Sequence, residues 1–397
     1  MPADTFRTVS SALFAPIVYA GGAQSPDTVV VGTYPPTRCG LATFTANTYK
    51  SLLTADPVRR AAVLRLGEPP GGLETMPEVI GAWARGAPAA DAAAMCAGFD
   101  VVLAQHEFGI YDGLEGVAII DFAELLEPPL VSVIHTVLVD PSEAQRAIIE
   151  DVADLSARLI VLSRSAADRL VGRYRIDPDL VRVIPHGADL NLGPRPARRP
   201  GPPVVITWGL LGPGKGIEHG VKAVAALAGR GLRVRYLVVG QTHPNVLADQ
   251  GERYRDGLRS LAAELGVADL LELDDGYHDW SRLQSLVRGA DLVLLPYDSR
   301  EQVTSGVLVE ALASAKPVVA TAFPHALEVV DDRAGIVVPH EEPDAIADAI
   351  ERLLTDPVLH DRCVEAARLE GFKCAWPRVG LAYDAVLQEA VGVATER

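Results

Sequence analysis

The sequence predicts an α/β protein with two domains, each built around a parallel β-sheet. Short apolar runs rich in β-branched residues alternate with longer segments rich in Ala and Leu, which is the pattern of βα units. The chain has 397 residues, and this is too long for one ordinary core. A proline-rich stretch from Leu192 to Pro203 divides the alternating runs into two series.

The elements of the first domain are expected within residues 28–193, after an N-terminal extension at 1–27. Its predicted strands lie at 28–31, 61–66, 100–104, 130–134, 158–162 and 181–184. The Ala-rich stretch 87–97 is most simply a helix.

A linker at 194–203 leads to a second domain at 204–375. Its predicted strands lie at 204–208, 234–239, 270–273, 292–295, 317–320 and 335–338, and its helices include 217–228, 254–265 and 345–354. A final helix is predicted within 376–397, because the residues from Trp376 to Leu387 have helical spacing, and Pro377 near the first turn is tolerated.

Composition excludes several classes of function. A formal net charge of −16 argues against nucleic acid or an anionic membrane as the main partner. The four cysteines are scattered, so neither a zinc site nor a disulfide framework is indicated. No apolar run is long enough for a transmembrane segment and no signal peptide is evident, so a cytoplasmic protein is expected. Paired carboxylates such as Asp274 and Asp275 point to opposite faces of a strand, and no metal site is predicted.

The most informative segment runs from Glu301 to Leu312 and reads as a polar loop that opens a helix just after a strand. Helix N-termini at this edge of an α/β sheet bind phosphates through unpaired N–H groups and the helix dipole. Thr304, Ser305 and Gly306 would supply those groups. Glu310 lies two turns into the helix and could reach a ribose or sugar hydroxyl.

A second phosphate-binding candidate is the glycine-rich turn from Gly209 to Ile217, which also joins a strand to a helix. Gly209 and Gly214 allow close approach of the backbone to a ligand, and Lys215 adds a positive charge. Glycine spacing alone is a weak signal, since such a turn is often only a turn.

The first domain has polar residues at the ends of its predicted strands. Arg38 and Gly40 lie in a loop after the first strand, and His106, Glu107 and His135 follow two others. Such side chains project into one crevice, so they are candidates for contact with ligand. In the second domain, His325 follows a strand and is a further candidate.

These motifs resemble the nucleotide-sugar site of retaining glycosyltransferases of family 4. The resemblance implies the GT-B fold, in which two Rossmann-like halves face each other across a cleft and a C-terminal helix crosses back to the first domain. The family site carries two glutamates with seven residues between them; Glu310 matches the second, and Gln302 stands at the first. The family turn carries an arginine and then a lysine; Leu210 replaces the arginine, and Lys215 matches the lysine.

The resemblance implies transfer of a sugar from a nucleoside diphosphate sugar to a hydroxyl acceptor, with retention and without metal or other cofactor. Catalytic roles fall to His135, Lys215 and Glu310. Donor and phosphate contacts fall to Gly40, Gly209, Gly214, Gln302 and the 304–306 loop, and acceptor or sugar contacts to Arg38, His106, Glu107, His135 and His325. Two alternatives remain open: a retaining glycoside phosphorylase that uses inorganic phosphate, and a sugar-nucleotide-binding protein without turnover.

Overall fold

The computed structural model describes residues 25–37, 39–68, 76–196, 201–276 and 278–395. The chain divides into two compact units, Met1–Gly187 with Trp376–Arg397, and Ala188–Ala375. Each unit has a parallel β-sheet with helices packed against it, which confirms the predicted fold class.

The strands of the first unit follow the predicted apolar runs closely. They are β1 (Thr28–Thr33), β2 (Ala61–Leu66), β3 (Val79–Trp83), β4 (Val101–His106), β5 (Leu130–Ile134), β6 (Ser156–Val161) and β7 (Val181–Val183). Within the described ranges they pair in the order β3-β2-β1-β4-β5-β6-β7, all in parallel. Residues Val29–Val31 of β1 are fully buried, as expected for a strand covered on both faces.

One strand of the first unit, β3, was not predicted. It lies at the edge of the sheet, its residues are mostly half-exposed, and Gly81 interrupts the apolar pattern. Glycine weakens a strand signal, and an edge position removes the continuous burial that marks the central strands. The helices that accompany these strands are α1 (Gly40–Ala55), α2 (Ala89–Cys96), α3 (Ala118–Glu124), α4 (Glu143–Leu155) and α5 (Arg164–Arg173).

The second unit repeats the same plan. Its strands are β8 (Val204–Trp208), β9 (Arg235–Val239), β10 (Leu271–Asp274), β11 (Leu292–Leu295), β12 (Val318–Thr321) and β13 (Gly335–Val338). In the part of the unit that the structure describes, they pair in parallel in the order β10-β9-β8-β11-β12-β13. The helices are α6 (Ile217–Gly229), α7 (Pro244–Gln250), α8 (Arg253–Glu264), α9 (Trp280–Gly289), α10 (Gly306–Ala313), α11 (Pro324–Val329), α12 (Pro343–Thr355) and α13 (Pro357–Lys373).

The strand orders define where a ligand is expected. The direction of winding reverses between β1 and β4 in the first sheet and between β8 and β11 in the second. In open α/β sheets, ligands bind outside the carboxyl ends of the strands at such a switch point. The loops after these four strands are therefore expected to contact ligand.

The units divide earlier than the predicted boundary at residue 193. The second unit begins at Ala188, whose N–H donates to the Cys374 carbonyl at 2.8 Å. Asn191 N–H donates to the Ala313 carbonyl at 2.9 Å. These backbone bonds attach the segment before the prolines to the second unit. Residues 197–200 of the predicted linker, and most of the predicted extension, lie outside the described residues.

The last helix, α14 (Trp376–Thr395), belongs to the first unit. Its buried residues Val379, Tyr383 and Leu387 share a hydrophobic cluster with Phe44 and Leu52 of α1. A buried ion pair between Arg59 and Asp384 adds a second attachment. No helix in the described ranges has the length and apolar character needed to span a membrane.

The contact between α14 and α1 leads to a stability prediction. A Cβ added at Gly380 would lie 2.3 Å from the Ser51 carbonyl oxygen of α1, whereas one added at Gly392 would meet no atom within 4 Å. Because backbone cannot move aside easily, we expect Gly380→Ala to lower the free energy of unfolding by about 1–3 kcal/mol. Gly392→Ala, in the same helix, should be neutral or stabilising by up to about 1 kcal/mol. Urea unfolding of both variants checks this, and equal effects would contradict the close packing.

Candidate functional site

The glycine-rich loop after β8 lies against the loop after β11. Gly209, Gly214 and Gly216 have φ angles of +118°, +88° and +61°, which only glycine adopts readily. A Cβ at Gly216 would lie 1.8 Å from the Pro296 carbonyl oxygen. Asp298 N–H donates to the Gly214 carbonyl at 3.0 Å. The glycines therefore allow two loops to meet at the switch point of the second sheet.

Lys215 is a partly buried cation in this loop. Its Nζ lies 4.6 Å from the centroid of the Tyr297 ring, a cation–π contact. Burial lowers the pKa of the Lys215 ammonium. Among the described residues no carboxylate forms an ion pair with it. A desolvated cation without an internal counter-ion is a favourable partner for a ligand anion.

The N-terminus of α10 is shaped by hydrogen bonds from three side chains. Ser305 caps the helix, since its hydroxyl accepts from Leu308 N–H at 3.2 Å. Ser305 N–H donates to His325 Nδ1 at 3.0 Å, and Gln302 Nε2 donates to the Thr304 carbonyl at 3.0 Å. The Thr304 hydroxyl is buried and has no hydrogen-bond partner in the described structure. Gln302 and His325 thus fix the conformation of the 304–306 loop, whose N–H groups are predicted to bind phosphate.

His325 does not lie on a ligand surface. Its side chain is buried, and burial lowers the pKa of the imidazole to about 4. The neutral ring accepts from the Ser305 backbone, so the structure gives His325 a positioning role in place of the predicted sugar contact.

Glu310 of α10 reaches the end of β8. The Trp208 indole Nε1 donates to Glu310 Oε2 at 2.8 Å. Burial raises the pKa of the Glu310 carboxyl to about 7, with Asp189 adding to the rise and the Trp208 hydrogen bond opposing it. Sequence reasoning did not single out Trp208, although an aromatic residue between a strand and a glycine turn was a usable signal. The contact holds one carboxyl oxygen, and no described residue donates a hydrogen bond to the other.

His135 of the first unit follows β5 and lies beside Phe44. The two rings meet edge to face at a centroid distance of 4.8 Å, and His135 Nε2 lies 2.7 Å from Gln105 Oε1. Burial, together with the nearby His186 and His106, lowers the pKa of His135 to about 3. The imidazole is therefore neutral at physiological pH and is fixed in orientation.

The structure brings His106 and Glu107 near His135 but gives them other partners. His106 is fully buried, stacks on Tyr111, and has a pKa lowered to about 4 by burial. Glu107 accepts from the Thr136 hydroxyl at 2.5 Å and from Phe108 N–H at 3.1 Å. The predicted acceptor contact of His106 thus has no exposed surface to make it.

The loop after β1 is described only in part. Gly40 is the exposed first residue of α1, and a Cβ there would meet no atom within 4 Å. Cys39 caps that helix, since its Sγ accepts from Ala42 N–H at 3.3 Å. Arg38 lies outside the described residues.

Within the described ranges one group of side chains has metal-ligand spacing. It comprises Glu218, His219 and Asp298, whose ligand atoms lie within 4.8 Å of one another. His219 Nε2 lies 3.2 Å from Asp298 Oδ1, and Glu218 accepts from the Tyr254 hydroxyl at 2.7 Å. In the described structure His219 Nδ1 and Asp298 Oδ1 are buried without a hydrogen-bond partner, and the group joins α6 to the loop after β11.

Comparison with known proteins places both units in one class. A family model described as Glycosyltransferase Family 4 matches residues 47–192, and one described as Glycosyl transferases group 1 matches residues 193–370. A D-inositol 3-phosphate glycosyltransferase of Saccharomonospora viridis is 32% identical over 256 residues, which are 61% of this chain and 58% of the relative. The chain thus spans less than two thirds of the length of that curated relative.

Two solved structures show the same fold. Anabaena HepE in complex with UDP and glucose aligns with a TM-score of 0.70 at 16% identity, over 91% of this chain and 99% of that one. Sucrose-phosphate synthase from Thermosynechococcus elongatus aligns with a TM-score of 0.73 at 17% identity, over 94% and 100%. With a family model on each half and this fold, the chain belongs to the family 4 type of glycosyltransferases with the GT-B fold.

Proposed function

We propose that the protein transfers a sugar from a nucleoside diphosphate sugar to a hydroxyl group of a small-molecule or glycan acceptor, with retention and without a metal ion. The partly buried Lys215 in the glycine loop carries this proposal. Its ammonium has no ion-pair partner among the described residues, so an anionic ligand would stabilise it. Structures of HepE, which has the same fold, contain UDP, and this supports a nucleotide as the ligand.

The diphosphate would lie between Lys215 and the N–H groups at the start of α10. As the bond between the anomeric carbon and the diphosphate oxygen breaks, negative charge grows on the leaving group. A preorganised ammonium and helix-terminal N–H groups stabilise that charge more than they stabilise the ground state. Leu210, which is partly exposed, cannot replace the family arginine as a donor, so Lys215 would bear more of this role.

Glu310 would bind the nucleotide ribose through the carboxyl oxygen that Trp208 does not hold. The acceptor oxygen would attack the anomeric carbon on the face that the diphosphate leaves, and its proton would pass to the leaving phosphate oxygen. The neutral His135 would position the transferred sugar while positive charge develops on the sugar ring.

Binding to a panel of nucleoside diphosphates and their sugars tests this proposal. A compound that prefers the native protein raises its melting temperature, and transfer products are then sought with that donor. Retention is read from the anomeric configuration of the product, and metal independence from activity in a chelator. Absence of binding by every nucleotide, or phosphate-dependent cleavage of a glycoside without nucleotide, would contradict the proposed function.

Nucleotide affinity should depend on pH through Glu310. The carboxyl has a pKa of about 7 in the free protein, so it is increasingly protonated as the pH falls below 7. Ribose hydroxyls donate better to the ionised form, and binding therefore lowers the pKa and releases a proton. We expect nucleotide affinity to fall from pH 8 to pH 6, by calorimetry, and Glu310→Gln to remove most of this dependence. If Glu310→Gln kept the full pH dependence of nucleotide affinity, a group other than Glu310 would be responsible for it.

A further inference from the structure

A cavity of about 250 Å³ lies in the first unit, apart from the predicted site residues. It opens at the carboxyl ends of β1, β2 and β3, next to the segment that follows β4. Its walls include Thr33, Thr37, Arg65, Trp83, Arg85 and Tyr111. The Trp83 and Tyr111 rings lie with centroids 5.8 Å apart. Apolar ring surface beside a few polar groups is typical of a site for a small ligand.

Arg65, at the end of β2, is the unusual member of this lining. It is only 6% exposed, and burial lowers the pKa of its guanidinium. Its nitrogens donate to neutral acceptors: the Glu68 carbonyl, the Thr37 hydroxyl at 2.8 Å and the Tyr34 carbonyl at 3.4 Å. Within the described part of the chain, no carboxylate forms an ion pair with Arg65. A buried charge without a counter-charge is unfavourable unless a ligand supplies one.

The guanidinium also has donors to spare. Arginine carries five N–H donors in a planar fork, and three hydrogen bonds to described residues leave two of them without a partner in that part of the chain. Both remaining donors are on the terminal nitrogens, because Nε has a single hydrogen and it is used. A fork of this kind matches the oxygens of a phosphate or carboxylate.

The other charged residues of the cavity, Glu68, Asp112 and Arg85, do not neutralise Arg65. Glu68 is exposed and contacts Arg65 through its backbone carbonyl, and among the described residues its carboxylate forms no ion pair with Arg65. Asp112 accepts from the N–H groups of Gly86 and Gly113 at 2.7 and 2.8 Å, and the nearby Arg85 helps to lower its pKa. Arg85 is exposed and donates to the Gly109 carbonyl at 3.2 Å. Asp112 and Arg85 thus offset each other. The chain as a whole has a net charge of −16, so an anion would enter this cavity only because of a local cation.

We propose that this cavity binds the anionic group of the acceptor, a phosphate monoester or a carboxylate on a sugar or cyclitol, with Arg65 as its counter-charge. The ring of such a molecule would lie against Trp83 and Tyr111. The identification of the ligand as an acceptor rests on the proposed function. Anion binding by the cavity is independent of the proposed function, because it requires no nucleotide.

Isothermal titration of the intact chain at low ionic strength tests the proposal. The probes are D-glucose 6-phosphate, D-glucuronate and neutral D-glucose, each titrated with and without saturating UDP. We expect at least one anionic probe to bind ten times more tightly than glucose, and to do so whether or not UDP is present. Equal binding of all three, or no binding by either anion, overturns the proposal. Anion binding that UDP abolishes would assign it to the phosphate site of the second unit and overturns it as well.

Variants locate the bound anion. Arg65→Gln should weaken binding of the preferred anion tenfold or more and leave glucose unchanged, while Arg65→Lys should retain part of the preference. Arg378→Gln, an exposed arginine of the same unit, is the matched control and should change nothing. Unaltered anion affinity in folded Arg65→Gln would overturn the assignment.

If that variant does not fold, the comparison of charged and neutral probes on the wild-type protein still tests whether the cavity binds anions. Failure of every nucleoside diphosphate to bind would contradict the proposed function and leave this result intact.

Discussion

Lys215→Ala should lower kcat/KM for sugar transfer by on the order of a hundredfold or more. The ammonium lies beside the glycine loop and over Tyr297, where burial has removed much of its water. Electrostatic stabilisation of a leaving group is strongest in such a site, because protein dipoles and charges there are already oriented. Most of the loss should appear in kcat, since charge on the diphosphate grows as the bond breaks. Steady-state kinetics with the donor identified by the binding panel measure it.

The control for this variant is Lys222→Ala, which removes an exposed lysine from the helix that the glycine loop opens. It should leave the kinetics unchanged. Lys215→Ala should keep or slightly raise the melting temperature, because it removes a partly desolvated charge that has no ion-pair partner among the described residues. Wild-type turnover in Lys215→Ala would reject the leaving-group role, and an equal loss in Lys222→Ala would point to a general effect of charge.

Glu310→Ala should weaken nucleotide binding by roughly tenfold to a hundredfold, because a hydrogen bond to a charged group contributes about 1.5–3 kcal/mol. The side chain is held by Trp208 Nε1 at 2.8 Å, so it is positioned before the ligand arrives. Truncation removes the ribose acceptor and also leaves the indole N–H of a buried tryptophan unpaired. Calorimetric titration with the nucleoside diphosphate gives the change in dissociation constant.

Two further variants separate these effects. Glu310→Gln keeps an oxygen for Trp208, so it should retain the wild-type melting temperature while binding of nucleotide weakens. Glu264→Ala, an exposed acid on α8 of the same unit, should alter neither. If Glu310→Ala and Glu310→Gln both bound nucleotide as the wild type does, the ribose assignment would be wrong.

The fold was largely predictable from local patterns. Runs such as Val29–Val31 and Leu292–Leu295 are apolar without interruption, because strands of a parallel sheet are buried on both faces. The glycine loop was also predictable, since Gly209 and Gly214 adopt positive φ where the chain turns from β8 toward α6. The edge strand β3 was missed because half-exposed residues around Gly81 carry no comparable pattern.

The candidate site was predictable at the level of residue type and less so at the level of role. Ser305 and Lys215 lie at the loops expected for them, but His325 supports the Ser305 backbone and His106 is fully buried. His106 is the last residue of β4 and His325 follows β12, so both stand at the strand ends where ligand contacts were predicted. Whether a strand-end side chain faces solvent or the interior depends on neighbours that are distant in sequence.

The pattern of apolar runs and turn residues along the sequence was enough to predict two α/β units and the alternation of their strands and helices. It also predicted the loops that carry glycine, lysine and glutamate. The pairing of Trp208 with Glu310, which are 102 residues apart, and the burial of Arg65 among neutral acceptors emerged only from the folded chain. Short-range periodicity and turn chemistry are properties of neighbouring residues. Desolvation and charge pairing are set by packing between segments, and these forces decide which side chains can bind a ligand.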